Sequence, residues 1–165
     1  MLGRNNMLTA NKKSKHRAAG GAFAIVASKY NEAYVNAMLR AAQAELRRAG
    51  AKVKVVRVPG AYEIPVVAAR LARNAEHNAI ICLGVILRGA TTHAQHIGEA
   101  VSTALALIQI KHEVPVVHEV LLLENEEQAR ERCLSRTHNR GTEAAQTALG
   151  MAEVMRDLGE GGIPF

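Results

Sequence analysis

Four short apolar segments alternate with helical patterns along the chain, and this alternation restricts the fold more than any other feature of the sequence. The apolar segments cover residues 22–27, 52–58, 79–83 and 114–123. Between them, apolar residues recur every three or four positions, which is typical of amphipathic helices. Strands that alternate with helices form a parallel sheet covered on both faces. The order βαβαβαβαα therefore predicts an α/β fold, a three-layer α/β/α sandwich around a four-stranded parallel sheet.

Polar residues and glycines mark the ends of the predicted helices. Asn31 precedes the first helix, residues 32–49, and is a residue type that caps helices. Thr91 or Thr92 is similarly placed before a long helix that starts at residue 93 and ends at about residue 110. Leu107 widens the apolar stripe of that helix, which predicts a helix buried between layers.

The end of the chain is predicted as two helices separated by a polar loop. The first helix covers residues 126–133, and the last covers roughly residues 142–158. Arg140 lies before the last helix, where its neighbours Asn139 and Gly141 indicate a turn. A single domain is therefore predicted over residues 21–158, with a flexible end at residues 159–165.

Of the net charge of +6, all but one unit lies in the amino-terminal segment. Residues 1–20 hold five basic side chains and no acidic one, while the rest of the chain carries 16 basic and 15 acidic residues. This composition favours a disordered, solvated basic tail over a nucleic-acid-binding arm. Because aromatic residues make up only 3% of the chain, the body offers no stacking platform, and we expect no nucleic-acid partner.

The lengths of the apolar runs and the positions of the two cysteines predict where in the cell the protein is located. No apolar stretch is long enough to cross a bilayer, and we recognise no signal peptide, so no membrane partner is expected. Cys82 and Cys133 have neither disulfide-framework nor metal-site spacing. These features together predict a cytoplasmic protein.

Residues 84–93, Gly-Val-Ile-Leu-Arg-Gly-Ala-Thr-Thr-His, connect the third strand to the long helix. A loop at the carboxyl end of a buried strand that opens into a helix amino terminus is suited to bind an anion. His93 stands at this position, and histidine transfers protons near neutral pH. The stretch therefore indicates either a bound phosphate beside a proton-transfer group or a capped helix with an exposed histidine.

Other polar residues leave several interpretations open. His93 and His96 could offer two metal ligands, but no third ligand has a fixed spacing to them. Arginines at positions 132, 136 and 140 would share one face if this segment were a helix. They could then bind an oxyanion or form a solvated basic face. Glu143 could orient an imidazole, although the sequence does not show that it reaches His93. Cys133 lies beside two of these arginines, which could lower the pKa of its thiol. Most such cysteines are packing residues, so Cys133 is not predicted to be a nucleophile.

Four segments together resemble the signature segments of the 6,7-dimethyl-8-ribityllumazine synthase family. They cover residues 58–65, 83–93, 127–132 and 139–145, in the same order and spacing as in the family. Tyr30 and Asn31 are similar to the family's aromatic-Asn pair after the first strand, and the resemblance extends over about residues 23–158. It implies a flavodoxin-like fold.

The resemblance also implies a transferase of riboflavin biosynthesis. Such an enzyme condenses 5-amino-6-(D-ribitylamino)uracil with 3,4-dihydroxy-2-butanone 4-phosphate and releases phosphate and water. No cofactor and no metal are implied. The implied site lies between neighbouring subunits of a homopentamer. The loop between residues 133 and 141 carries no insertion, and in this it resembles family members that form sixty-subunit shells. Such a shell could enclose riboflavin synthase or another cargo.

The resemblance gives roles to individual residues by position. His93 would be the general acid/base, and Glu143 would orient it. Ala90 and Thr91 would hold the phosphate, together with Arg132 supplied by the adjacent subunit. The pyrimidine and ribityl pocket would be lined by Tyr30, Asn31, Ala61, Tyr62, Glu63, Val85, Ile86, Leu87, His118 and Arg140.

Two departures from the family pattern keep a second function open. After the predicted acid/base histidine, the family usually has an aromatic residue, an acid and another aromatic residue, whereas this chain has Ala94, Gln95 and His96. His118 and Glu119 place polar groups where the family commonly has an apolar ring wall from the neighbouring subunit. The alternative is a weakly active lumazine-synthase-like shell, or a protein that binds a flavin or pteridine.

Overall fold

The computed structural model describes residues 20–160. The tail predicted at residues 1–20 lies outside the described residues except for Gly20, and so does the predicted flexible end at residues 159–165 beyond residue 160. The elements, in chain order, are β1 (Ala22–Ser28), α1 (Glu32–Arg48), β2 (Lys52–Val58), α2 (Ile64–Asn74), β3 (Ala79–Leu87), α3 (His93–His112), β4 (Val116–Leu123), α4 (Glu126–Cys133) and α5 (Arg140–Glu160). A short 3₁₀ helix, Ala61–Glu63, precedes α2.

The four strands form one parallel sheet in the order β2-β1-β3-β4. Helices α1, α4 and α5 pack on one face, and α2 and α3 pack on the other. The predicted three-layer α/β/α sandwich is therefore confirmed. The central strands β1 and β3 are almost wholly buried, as their continuous apolar runs indicate.

Helix α1 shows how the sequence pattern produces the packing. Its buried residues are Val35, Met38, Leu39, Ala42 and Leu46, the residues that recur at helical spacing. Gly50 follows the helix with φ of +74°, a conformation that glycine adopts without steric cost. The chain can therefore turn directly into β2.

Several predicted boundaries were wrong by a few residues. β3 continues through Gly84 to Leu87, because this stretch pairs with β4 along its whole length. β4 begins at Val116 instead of Val114. Arg140 is the first residue of α5 and not part of a turn, because Asn139 accepts the Gly141 N–H through Oδ1 and starts the helix there.

The prediction that α3 is buried between layers was also wrong for the single chain. Val101 and Leu105 are buried against the sheet, as their spacing indicates. Leu107 and Ile110, on the wider part of the stripe, are 61% and 73% exposed. The chain therefore covers only one side of this apolar helix.

Candidate active site

A cavity of about 920 Å³ opens at the carboxyl ends of the strands. It lies where the strand order reverses, with residues that follow β1 on one side and the end of β3 on the other. Open parallel sheets bind ligands at this switch point. Most of the residues named from the sequence line the cavity, namely Tyr30, Asn31, Ala61, Tyr62, Glu63, Val85, Ile86, Leu87, Thr91 and His93.

Asn31 ties the two central strands together at the cavity. The residue precedes α1 as predicted, but its side chain does not cap the helix. Instead, Nδ2 donates a hydrogen bond of 2.7 Å to the carbonyl oxygen of Val85, and the backbone of Asn31 is left-handed, with φ of 55°. The Tyr30 N–H donates to Pro59 O, which anchors the same loop to the end of β2. Tyr30 itself is 75% exposed and presents a ring at the cavity.

The amino terminus of α3 supplies donors on another side of the cavity. Thr92 occupies the N-cap position without a side-chain cap bond. The hydroxyl of Thr91 accepts from the His93 N–H at the long distance of 3.4 Å. Unsatisfied N–H groups in the first turn and the helix dipole both favour a bound anion there. Ala90 lies between two lining residues, Gly89 and Thr91, but does not line the cavity itself.

One face of α3 forms a wall of the cavity. His93, His96, Ile97 and Ala100 all line it. His96, Ile97 and Ala100 were not predicted to contact a substrate, although their spacing from His93 places them on the same helical face. No group of three or more potential metal-ligating side chains comes together within residues 20–160.

A second polar cluster lies outside the cavity and contains the remaining site residues of the carboxyl-terminal segments. Arg140 Nε donates to Glu119 Oε1, and Arg140 Nη1 donates to Glu143 Oε2, both at 2.7 Å. Burial opposes the charged form of Arg140, but the two carboxylates together raise its pKa. Glu143 is therefore paired with Arg140, and it does not line the cavity that contains His93.

Cys133 is a packing residue, as the sequence favours, and the arginines nearby do not lower the net pKa of its thiol. Cys133 is fully buried, and burial, followed by the nearby Glu119 carboxylate, raises the pKa of its thiol to about 11. Arg132 and Arg140 act in the opposite direction but do not overcome these two effects. Arg132 lies in α4 and Arg140 begins α5, so the arginines do not share one helix.

Comparison with known proteins agrees with this geometry. The family model of 6,7-dimethyl-8-ribityllumazine synthase matches residues 20–156. The chain is 36% identical over 149 residues to the 6,7-dimethyl-8-ribityllumazine synthases of two strains of Clostridium kluyveri, covering 88% of this chain and 97% of each relative. The chain belongs to the lumazine synthase family. The match includes both the cavity and the second polar cluster.

Membership of the lumazine synthase family makes His118 notable, since the resemblance places an apolar ring at this position. The Val120 N–H donates to His118 Nδ1 at 3.1 Å, so Nδ1 carries no proton. His118 Nε2 lies 2.7 Å from Ser102 Oγ, which donates to the Gly98 carbonyl. This network makes Nε2 the donor and the imidazole neutral. Desolvation of the ring also lowers the pKa of His118, although part of the side chain is exposed in the single chain.

We expect the His118→Asn variant to lose less stability than the wild type when the pH falls into the mildly acidic range. Because the folded chain lowers the pKa of His118 below 6.5, the unfolded chain takes up a proton first as the pH falls. His118 therefore costs stability below pH 6.5 and nothing above it. Urea midpoints at fixed protein concentration should fall less steeply for the variant between about pH 6.5 and 5.

A second histidine with a lowered pKa contributes to the acid loss of stability in both proteins. His77, whose pKa is lowered by burial and then by Lys54, titrates in the same direction and is present in both proteins. Equal slopes for the wild type and the variant would show that His118 does not contribute.

No helix within residues 20–160 is long and apolar enough to cross a membrane. The cytoplasmic location stays a prediction.

Proposed function

We propose that the chain is a 6,7-dimethyl-8-ribityllumazine synthase of riboflavin biosynthesis. It would condense 5-amino-6-(D-ribitylamino)uracil with 3,4-dihydroxy-2-butanone 4-phosphate and release phosphate and water. The observation that carries the proposal is the cavity itself. It combines an exposed aromatic ring at Tyr30, a carboxylate at Glu63, and His93 beside an uncapped helix start.

Each part of the cavity suits a part of the two substrates. The phosphate fits the amino terminus of α3 near Thr91, where N–H donors are available. The ring of Tyr30 suits stacking on the pyrimidine, and Glu63 suits the ribityl hydroxyls as an acceptor. His93 would exchange the protons that phosphate departure and imine formation require. Holding two reactants together would supply much of the rate, because proximity alone can remove a large part of a barrier.

We infer that the site is completed by a neighbouring subunit. Arg132, Arg140 and Glu143 belong to the segments that resemble the family, yet none of them lines the cavity of their own chain. Val66, Leu107 and Ile110 are large apolar residues with more than half of their surface exposed, which supports packing against other copies. The proposed assembly is a homopentamer, with Arg132 supplied across the interface to the phosphate.

A shell of twelve such pentamers is the proposed higher assembly. The connection between α4 and α5 is short, as it is in the shell-forming members that this segment resembles. Riboflavin synthase or another cargo inside the shell stays an expectation. Sedimentation of the purified protein at a mass near five chains would contradict the shell.

We expect the purified protein to produce lumazine from both substrates, detected by absorbance or fluorescence, faster than the protein-free mixture. Phosphate release should match lumazine in a one-to-one ratio. Product at only the spontaneous rate would exclude the synthase. If riboflavin or a pteridine were still bound in that case, a binding or shell protein would be the remaining function.

A further inference from the structure

Glu119 is the only charged side chain buried in the core of residues 20–160, with 4% of its surface exposed. It lies on β4, on the face of the sheet covered by α5. Removing a carboxylate from water is costly unless the charge is paired. The surroundings of Glu119 therefore need to be identified.

Glu119 is surrounded by Arg132, Arg140 and Glu143, three predicted site residues that do not line the cavity. Arg140 Nε donates directly to Glu119 Oε1. Arg132 lies close enough for its charge to favour the ionised form of Glu119, and Glu143 holds the other side of Arg140. One buried carboxylate thus lies among three residues that the proposed site takes from the neighbouring subunit.

The contacts fix the plane of the Arg140 guanidinium. Nε is used by Glu119 and Nη1 by Glu143, while no hydrogen bond within the described part of the chain uses Nη2. A guanidinium held at two positions of its planar fork loses its rotational freedom. Asn139 starts α5 at Arg140 and so fixes the backbone below the same side chain.

We propose that Glu119 is a positioning residue that holds Arg140 so that its open Nη2 group meets the pyrimidine of the substrate bound in the adjacent subunit. This inference rests on the proposed lumazine synthase function. The contact to the pyrimidine comes from Arg140, and Glu119 acts only through it.

Stability does not account for the carboxylate. Burial raises the pKa of Glu119 in spite of the opposing effect of Arg140, so the fold accommodates a neutral side chain at this position more readily than an ionised one. A glutamine would fill the same volume and keep a hydrogen-bond acceptor for Arg140 without the charge. A carboxylate binds a guanidinium more strongly than glutamine does, so the role of Glu119 lies with Arg140.

Glu119→Gln tests the inference through the two Michaelis constants. We expect the KM for ribitylaminouracil to rise by about tenfold, because a neutral acceptor holds the guanidinium less strongly. The KM for the butanone phosphate should stay the same or fall, because a negative charge near Arg132 has been removed. The urea midpoint should change little, since Arg140 keeps its ion pair with Glu143 and the glutamine still accepts a hydrogen bond.

A double-mutant cycle shows whether Glu119 acts through Arg140. Arg140→Lys alone should raise the KM for ribitylaminouracil, but should change it less than about twofold in the Glu119→Gln background. Glu126→Gln is the matched control, since Glu126 pairs with Arg130 on the exposed surface of α4 and should leave both constants unchanged.

The outcomes separate this inference from the proposed function. An active wild type with unchanged constants for Glu119→Gln would overturn the positioning role and leave the synthase intact. A rise in both constants together with a lower urea midpoint would show a structural role and also overturn it. A wild type that makes no product above the spontaneous rate would remove the synthase and the positioning role together.

Discussion

His93→Ala is expected to lower kcat for lumazine formation by about a hundredfold, since a positioned acid/base contributes about 10² to 10⁴ to a rate. Alanine cannot exchange the protons that phosphate departure and imine formation require. The N–H donors of α3 and the hydroxyl of Thr91 remain in the variant. The KM for the butanone phosphate should therefore change little, and the loss of activity should come from a lower kcat.

A second histidine of the same helix provides the control. His112 is the last residue of α3, nineteen positions after His93, and does not line the cavity. His112→Ala should retain the wild-type kcat. A decrease of less than about tenfold for His93→Ala would contradict its role as the acid/base group.

Mixed oligomers extend the same experiment to the shared site. In the proposed shared site, His93 of one subunit acts together with Arg132 of the next, so His93→Ala and Arg132→Ala are each expected to be impaired alone. When equal amounts of the two variants are refolded together, about a quarter of the sites should be complete. This is because each of the two neighbouring subunits has a one-in-two chance of being the variant that keeps the required residue. Failure to regain activity in verified mixed oligomers would place both residues in the site of a single chain.

The sequence was sufficient to predict the order of elements and most of the cavity. Continuous apolar runs identify β1 and β3, and a parallel sheet brings the segments after its strands to one edge. Tyr30, Glu63 and His93 could therefore be placed together without coordinates. Each of them lies in a short segment whose position follows from the strand before it.

Contacts between distant segments could not be predicted in the same way. The pairing of Glu119 with Arg140 joins residues 21 positions apart on different elements, and neither residue alone indicates the other. Asn31 has the residue type of a helix cap, but its amide reaches Val85 across the sheet instead. The exposed stripe at Leu107 matches the periodicity of a buried helix, because periodicity does not show whether the same chain covers it.

Gly141→Ala is expected to cause a large loss of stability, because the backbone of α1 lies directly against this residue of α5. A Cβ atom at Gly141 would lie 2.0 Å from the carbonyl oxygen of Met38 and 2.6 Å from its carbonyl carbon. These are backbone atoms of α1, so no side-chain rotation can relieve the overlap. We expect the free energy of unfolding to fall by about 3 kcal/mol or more, at the upper end of overpacking effects.

Gly159 of the same helix provides the matched control, since a Cβ atom there would meet nothing within 4 Å. Gly159→Ala should leave the free energy of unfolding unchanged or raise it by up to about 1 kcal/mol, the helix preference of alanine over glycine. Urea unfolding of both variants measures the difference directly. Because Gly141 follows Arg140, its replacement should also displace the guanidinium from Glu119 and raise the KM for ribitylaminouracil. A Gly141→Ala variant with wild-type stability would show that α1 and α5 can separate without cost.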